Sequence, residues 1–147
     1  MTRMAAREIA VHTIYALDFT DDLAELVDER VGSGFFERMA GESELFAAPP
    51  DEASELYIRS IAEGAAAHLA ELDGYIEKYA SGWSFGRIPR VAVAVMRVCM
   101  YEILYRPDIP NSAAINAAVE ICKNYEEPEV AAFVNGILGS FVREEMA

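Results

Sequence analysis

Apolar residues recur at helical spacing along most of the 147-residue chain. Spacings of three and four residues place apolar side chains on one face of a helix, and capping residues, glycines and prolines mark helix ends. Thr2 is the expected N-cap of the first helix. We predict helices at about residues 2–19, 22–31, 51–80, 88–105, 111–125 and from Pro128 onward. The chain is therefore predicted to be all-α, with six or seven helices.

Residues 33–50 follow no clear period. Glycines and prolines there surround three phenylalanines, which predicts a loop or a short helix fixed by its aromatic rings. The rings are Phe35, Phe36 and Phe46. Two interpretations stay open, since these rings either pack on the core or cover a subunit interface.

The segment 88–105 is apolar nearly all round. Residues 91–95 alternate as a buried strand does, but the length of the apolar run favours a helix in the middle of the fold. Arg97 within it requires a carboxylate partner, because an unpaired buried charge is costly. The predicted partner is Glu102 or, on the neighbouring helix, Glu120.

The buried faces of the other helices follow from the same spacing. The 51–80 helix is predicted to bury Leu56, Ile61, Ala65, Leu69, Leu72 and Ile76. The 111–125 helix is predicted to bury Ile115, Val119 and Cys122, and to be capped by Asn111 or Ser112. The last helix is predicted to bury Phe133, Ile137, Leu138 and Phe141, with Gly136 allowing close helix contact and with Asn116 and Asn135 hydrogen-bonding between segments.

Composition narrows the class of protein. Hydrophobic residues make up 53% of the chain, which excludes a disordered chain, and arginines interrupt the longest apolar run, so no membrane span is expected. The length fits a single domain over 1–147. The N-terminal residues contain no signal-peptide pattern, and a cytoplasmic location is expected.

The net charge of −13 opposes nucleic-acid binding unless a local basic surface exists. Residues 18–55 carry a net charge of −10 and are either a solvated surface or a docking face for a basic protein. Residues 81–106 carry +3, so a basic surface is possible there.

The first helix contains the strongest candidate for anion binding. Arg3 and Arg7 are four residues apart and share a helix face, as two guanidiniums that contact successive phosphates would. Tyr15 lies two turns further on, where its ring would stack on a base. The alternatives are a solvated helix face for the arginines and a core position for the tyrosine.

No motif indicates catalysis, a metal site or a cofactor. His12 and His68 have no metal-ligand neighbours at a suitable spacing, and there is no phosphate loop or nucleophile elbow. Cys99 and Cys122 lie in apolar helical patterns and are predicted to be reduced core residues. We expect a protein that is not an enzyme.

The chain contains a series of distinctive motifs: Ala6-Arg7 through Tyr15, Trp83, Arg87-Ile88, Arg97, Tyr101-Glu102-Ile103-Leu104, Ile109-Pro110, Ala114 through Glu120, Lys123 and Phe133-Val134-Asn135-Gly136-Ile137-Leu138. Together they resemble the NusB family. These matches extend in order over nearly the whole chain. The resemblance implies a compact NusB-like helical fold in two subdomains.

The resemblance also implies an antitermination factor that binds boxA RNA together with the ribosomal protein NusE and then joins NusA, NusG and RNA polymerase. The family's RNA contacts correspond to Arg3, Arg7, Tyr15, Lys123 and Tyr125 in this sequence. A homodimer of the free protein is a further possibility that the family offers.

One departure from the family pattern matters for function. Many relatives have an unbroken arginine cluster where this chain has Arg3-Met4-Ala5-Ala6-Arg7. With few phosphate contacts, RNA affinity should be modest and salt-dependent. The alternative function is therefore a protein-only adaptor of the same fold with weak or lost RNA affinity.

Overall fold

The computed structural model describes residues 1–147 and is all-helical, as predicted. It contains eight α-helices rather than six or seven. These are α1 (Arg3–Ala16), α2 (Leu23–Val31), α3 (Ser33–Met39), α4 (Glu52–Ala67), α5 (Leu69–Tyr79), α6 (Arg90–Tyr105), α7 (Asn111–Lys123) and α8 (Pro128–Glu145). Short 3₁₀ turns occupy Leu17–Phe19, Glu44–Phe46 and Phe85–Arg87.

The chain divides into two units, Met1–Ala66 and Ala67–Ala147. This agrees with the two subdomains implied by the family resemblance, whereas a single domain over 1–147 stays a prediction. None of the helices is long and apolar enough to cross a membrane.

In the first unit, side chains cap the helices where the sequence predicted helix starts. The Thr2 hydroxyl accepts a hydrogen bond from the Ala5 amide at 3.0 Å, and Asp22 accepts one from the Glu25 amide at 3.0 Å. Such caps satisfy amides that have no partner within the helix. Local chemistry therefore fixes the starts of α1 and α2.

The 33–50 segment is a short helix, α3, followed by a 3₁₀ turn. The rings of Phe35, Phe36 and Phe46 contact one another edge to face, with centroids 5.5 to 5.9 Å apart. Phe36 and Phe46 are buried. Of the two interpretations, packing on the core is confirmed for these two rings.

The predicted helix over 51–80 is wrong in its continuity, because it is interrupted at His68. This residue has φ −121° and ψ 21°, outside the helical region, and separates α4 from α5. Its ring stacks on Tyr105 of α6, with centroids 4.4 Å apart. No glycine or proline marks this break, so the sequence gives no local signal for it.

The predicted buried face of α4 is also partly wrong. Leu56 is 64% exposed, while Tyr57 and Ile58 beside it are buried with Ile61 and Ala65. At the start of α4 the buried face therefore lies one or two positions after Leu56, and Leu56 itself lies on the polar side of the helix.

Helix α6 is the centre of the second unit and packs against α5, α7 and α8. Every residue from Ala92 to Met100 is buried. The strand-like alternation of 91–95 is therefore part of a helix that is covered on all sides, as predicted. Arg97 has a carboxylate partner in Asp73 of α5, a residue that the sequence did not single out.

The N-cap of α7 lies one residue before the nearer of the two predicted caps. Pro110 occupies the N-cap position without a side-chain hydrogen bond, and Asn111 is the first helical residue, so capping by Asn111 or Ser112 is wrong. Ile115 and Val119 are only half-buried. The buried face consists of Ala114, Ala117, Ala118, Ile121 and Cys122.

On α7 and α8, three residues that were expected to join helices are exposed instead. Asn116 and Asn135 lie at exposed positions, which does not fit hydrogen bonding between packed segments. A Cβ added to Gly136 would meet no atom within 4 Å, so this glycine does not serve a close helix contact. Phe133 is half-buried, while Ile137, Leu138 and Phe141 are buried as predicted.

Candidate nucleic-acid interface

The first two turns of α1 place Arg3 and Arg7 near one aromatic ring. The guanidinium carbon of Arg3 lies 3.9 Å from the centroid of the Tyr57 ring, and that of Arg7 lies 5.9 Å from it. A cation over an aromatic face is attracted by the ring quadrupole. The predicted shared face of the two arginines is confirmed, and Tyr57 of α4 supports both.

The two arginines differ in what they offer to an anion. Arg3 is exposed, and the first turn of α1 contains no acidic residue. A helix N-terminus carries a partial positive charge and unpaired amides, so Arg3 and this turn together suit a phosphate. Arg7 is only 8% exposed. Its guanidinium therefore lies near the Tyr57 ring and has little exposure to solvent.

A cavity of about 480 Å³ lies beside this turn, between α1 and residues 43–49. Its lining includes the apolar Met4, Leu45 and Pro49 together with the carboxylates of Glu8 and Glu44. Two carboxylates repel phosphate. An anion is therefore expected on the Arg3 side of the turn and not in this cavity.

Tyr15 lies at the other end of α1. Twelve residues at 1.5 Å each place it about 18 Å along the helix axis from Arg3. Its exposed ring contacts Phe19, with centroids 5.6 Å apart, and Phe19 is 72% exposed. Asp18, Asp21 and Asp22 accompany this pair in the sequence. The structure does not bring Tyr15 to the arginines, and its neighbours are acidic.

Lys123 and Tyr125 lie in the second unit, at the end of α7 and in the turn after it. Lys123 Nζ is 3.2 Å from Glu120 Oε1, in an exposed pair that solvent screens. Tyr125 is exposed. The three carboxylates of Glu126, Glu127 and Glu129 follow in the sequence, so this turn is a weak attractor for phosphate.

The histidines and cysteines occupy packed positions. Burial lowers the pKa of His12 from its ordinary value of 6.5; Glu8 opposes this shift and Arg30 adds to it. Cys99 and Cys122 form no disulfide and are buried, as predicted, and burial raises the pKa of the Cys122 thiol to about 11. No group of three or more potential ligands is placed to hold a metal ion.

Two exposed aromatic residues were not singled out as site residues from the sequence. Phe19 is the first, and Trp83 of the loop between α5 and α6 is the second. An aromatic residue in an apolar pattern is most often a core residue, so only the folded structure reveals that these two rings are exposed.

Comparisons with known proteins agree on one family. Residues 4–143 match the model of the NusB family. Transcription antitermination protein NusB of Acetivibrio thermocellus is 36% identical over 146 residues, covering 99% of this chain and 92% of that protein. The protein of the same name from Ruminiclostridium cellulolyticum is 37% identical over 148 residues, with the same two coverages.

Solved structures share the fold. A structure of T. maritima NusB matches with a TM-score of 0.81 at 26% identity, covering 98% of this chain and 92% of that one. A structure of the antitermination factors NusB and NusE in complex with double-stranded RNA matches with a TM-score of 0.75 at 22% identity, with 96% of each chain covered. At that identity the second match shows the fold alone.

Proposed function

The chain belongs to the NusB family, and we propose that it is a transcription antitermination factor that binds boxA RNA together with the ribosomal protein NusE. In this role it is an adaptor rather than an enzyme. It acts in the cytoplasm, where its RNA–protein complex joins NusA, NusG and RNA polymerase to suppress premature termination of ribosomal RNA transcription.

The observation that carries the RNA part of the proposal is the start of α1. Arg3 is an exposed cation on a helix N-terminus without acidic residues, in a chain whose net charge is −13. A local positive site of this kind is what phosphate binding requires in an acidic protein. The Tyr57 ring lies under both arginines. In this proposal Arg3 contacts the phosphate, and Arg7 helps to position Tyr57 and Arg3.

The acidic surface of the first unit supports a basic protein partner. The exposed pair of Tyr15 and Phe19 supplies apolar contact, and Asp18, Asp21 and Asp22 supply complementary charge. Aromatic anchors with surrounding charge are typical of protein interfaces. We therefore propose that Tyr15 contacts the protein partner rather than a base, while Lys123 and Tyr125 make a minor contribution to RNA binding.

A protein-only adaptor of the same fold is the second candidate function. Arg7 is nearly buried and Lys123 pairs with Glu120, so that Arg3 alone of these three cations is both exposed and free of an ion pair. Few phosphate contacts then remain to supply affinity. In this function NusE binds through the acidic surface and RNA does not bind specifically.

The test is a fluorescence-anisotropy titration of labelled boxA-type RNA and a scrambled control, with and without NusE, at two salt concentrations. We expect preference for boxA, tighter binding with NusE, and for Arg3→Ala a salt slope lower by roughly 0.7, the value for one contact to a single strand. Arg38→Ala is the matched control, because it removes an exposed arginine from α3. No RNA preference under any condition would leave the protein-only adaptor.

The protein part is tested separately by calorimetric titration with NusE. Phe19→Ala should weaken NusE binding and leave RNA binding in the absence of NusE unchanged, since the ring is exposed and remote from Arg3 along α1. Unchanged NusE affinity would contradict the assignment of the partner to this surface. Sedimentation of the free protein shows whether it also forms a homodimer.

A further inference from the structure

The loop between α5 and α6 presents an exposed tryptophan. Gly82 has φ +83°, a left-handed conformation that suits glycine, and the chain turns there directly before Trp83. Trp83 is 52% exposed, and its ring centroid lies 5.0 Å from that of Phe133 on α8. The indole is therefore held by a neighbouring ring while much of its surface stays open to solvent.

The charge along this part of the sequence is positive. No aspartate or glutamate occurs between residues 78 and 101, the longest such stretch in this acidic chain. Arg87 is exposed and has no ion pair, and the guanidinium carbon of Arg90 lies 5.7 Å from the centroid of the Phe85 ring. Arg97 is paired with Asp73 and does not add to this surface. Trp83, Phe85, Arg87, Arg90 and Phe133 together are called the Trp83 surface.

An exposed aromatic ring that is followed closely in the sequence by an exposed arginine has the chemistry that binds single-stranded nucleic acid. A base stacks on an aromatic face whatever its sequence, and an arginine pairs with the adjacent phosphate. All five residues lie within the second unit, so the Trp83 surface is complete without any residue of α1.

We propose that the Trp83 surface is a second contact for single-stranded RNA, in which a base stacks on Trp83 and a phosphate pairs with Arg87. The inference rests on the proposed function, because it takes RNA as the ligand, and it adds a binding surface to the one at Arg3. Glu127, the N-cap residue of α8, and Glu129 in its first turn repel phosphate, so the RNA backbone runs on the Arg87 side of the ring.

The experiment uses the intrinsic fluorescence of Trp83, the single tryptophan of the chain. Unlabelled boxA-type RNA is titrated into the full-length protein, and labelled RNA is followed by anisotropy in parallel. We expect quenching of Trp83 that saturates together with the anisotropy. Trp83→Ala should weaken RNA binding by roughly 5-fold to 150-fold, the range for loss of one base–aromatic stack, and Trp83→Phe by less.

The arginine is tested through the salt slope. Arg87→Ala should lower the slope by roughly 0.7, whereas Arg143→Ala, which removes an arginine from the last turn of α8, should not. Circular dichroism and urea unfolding of each variant establish that the fold is retained, since Trp83 contacts Phe133.

The outcomes separate the two proposals. RNA binding with unchanged Trp83 emission and unchanged affinity of Trp83→Ala would overturn the Trp83 surface and leave the proposed function standing. Quenching by an acidic peptide but not by RNA would overturn it in favour of a protein ligand. Absence of RNA binding by the unmodified protein, with and without NusE, would contradict the proposed function and this inference together.

Discussion

Arg97 of α6 donates two parallel hydrogen bonds to Asp73 of α5, from Nε to Oδ1 at 2.7 Å and from Nη2 to Oδ2 at 2.8 Å. Arg97 is buried and Asp73 only partly exposed. This bidentate geometry satisfies a charge that the apolar surface of α6 would otherwise destabilise. The pair thereby fixes α5 against the central helix of the second unit.

Asp73→Ala should destabilise the protein by about 3 kcal/mol, because it removes the carboxylate that accepts two hydrogen bonds from a buried guanidinium. Urea unfolding followed by circular dichroism measures the loss. Asp108→Ala is the control, since it breaks an exposed pair with Arg106 and should cost less than about 1 kcal/mol. Equal losses in the two variants would show that the Arg97–Asp73 pair contributes no more than a surface pair.

Gly136→Ala should stabilise the protein by about 0.5–1 kcal/mol. The residue lies inside α8, where alanine has the higher helix propensity, and an added Cβ meets no atom within 4 Å. Gly82→Ala should instead destabilise it by roughly 1 kcal/mol, because φ is +83° there. Chemical denaturation of both variants checks the opposite signs. If Gly136→Ala were less stable than the unmodified protein, the face of α8 that contains Gly136 would have to be packed against another part of the protein.

Acidification should destabilise the protein through His12. Burial lowers the pKa of His12 in the folded state, so the unfolded chain binds more protons as the pH falls below 6.5. The stabilisation from a neutral His12 is therefore present above pH 6.5 and is lost as the pH falls through the lower folded-state pKa. Thermal unfolding of His12→Gln between pH 7.5 and 5 should show a shallower loss than the unmodified protein.

The half-exposed His68 gives a comparison for that measurement. His68→Gln should keep the acid sensitivity that His12 causes. The attribution to His12 fails if His12→Gln loses stability on acidification as steeply as the unmodified protein and His68→Gln do.

Neither thiol should react readily in the folded protein. Cys99 and Cys122 are buried, and the pKa of Cys122 is raised to about 11, so its reactive thiolate is scarce at neutral pH. Labelling with a chromogenic disulfide reagent should be slow in buffer and should reach two thiols per chain in denaturant. Rapid labelling of one thiol in buffer would contradict the buried environment.

The elements that the sequence predicted well depend on local rules. Apolar spacing located the helices. Thr2 is the N-cap of α1, as its place in the sequence indicated, and Pro128 occupies the first position of α8, as its fixed φ allows. The distinction between helix and strand at 91–95 was also decided locally, by the length of the apolar run. Such features involve residues within about one turn of each other, so they can be inferred without knowing the fold.

The elements that were missed depend on residues distant in sequence. The break at His68 coincides with a ring contact to Tyr105, and Arg97 pairs with Asp73, which lies 24 residues away in the sequence. Leu56 was assigned to the core although its neighbours Tyr57 and Ile58 are the buried residues. The apolar spacing is compatible with burial of several neighbouring faces of a helix. Only packing against another helix determines which face is buried.

The sequence by itself determined the helical class, the family motifs, the acidic balance and the shared face of Arg3 and Arg7. Tertiary structure alone decided which side chains are available to a ligand. It nearly buried Arg7, left Trp83 and Phe19 open to solvent, and placed Asn135 and Gly136 on a free face of α8. Composition and spacing state what a residue is able to bind, whereas its exposure depends on which helices pack over it.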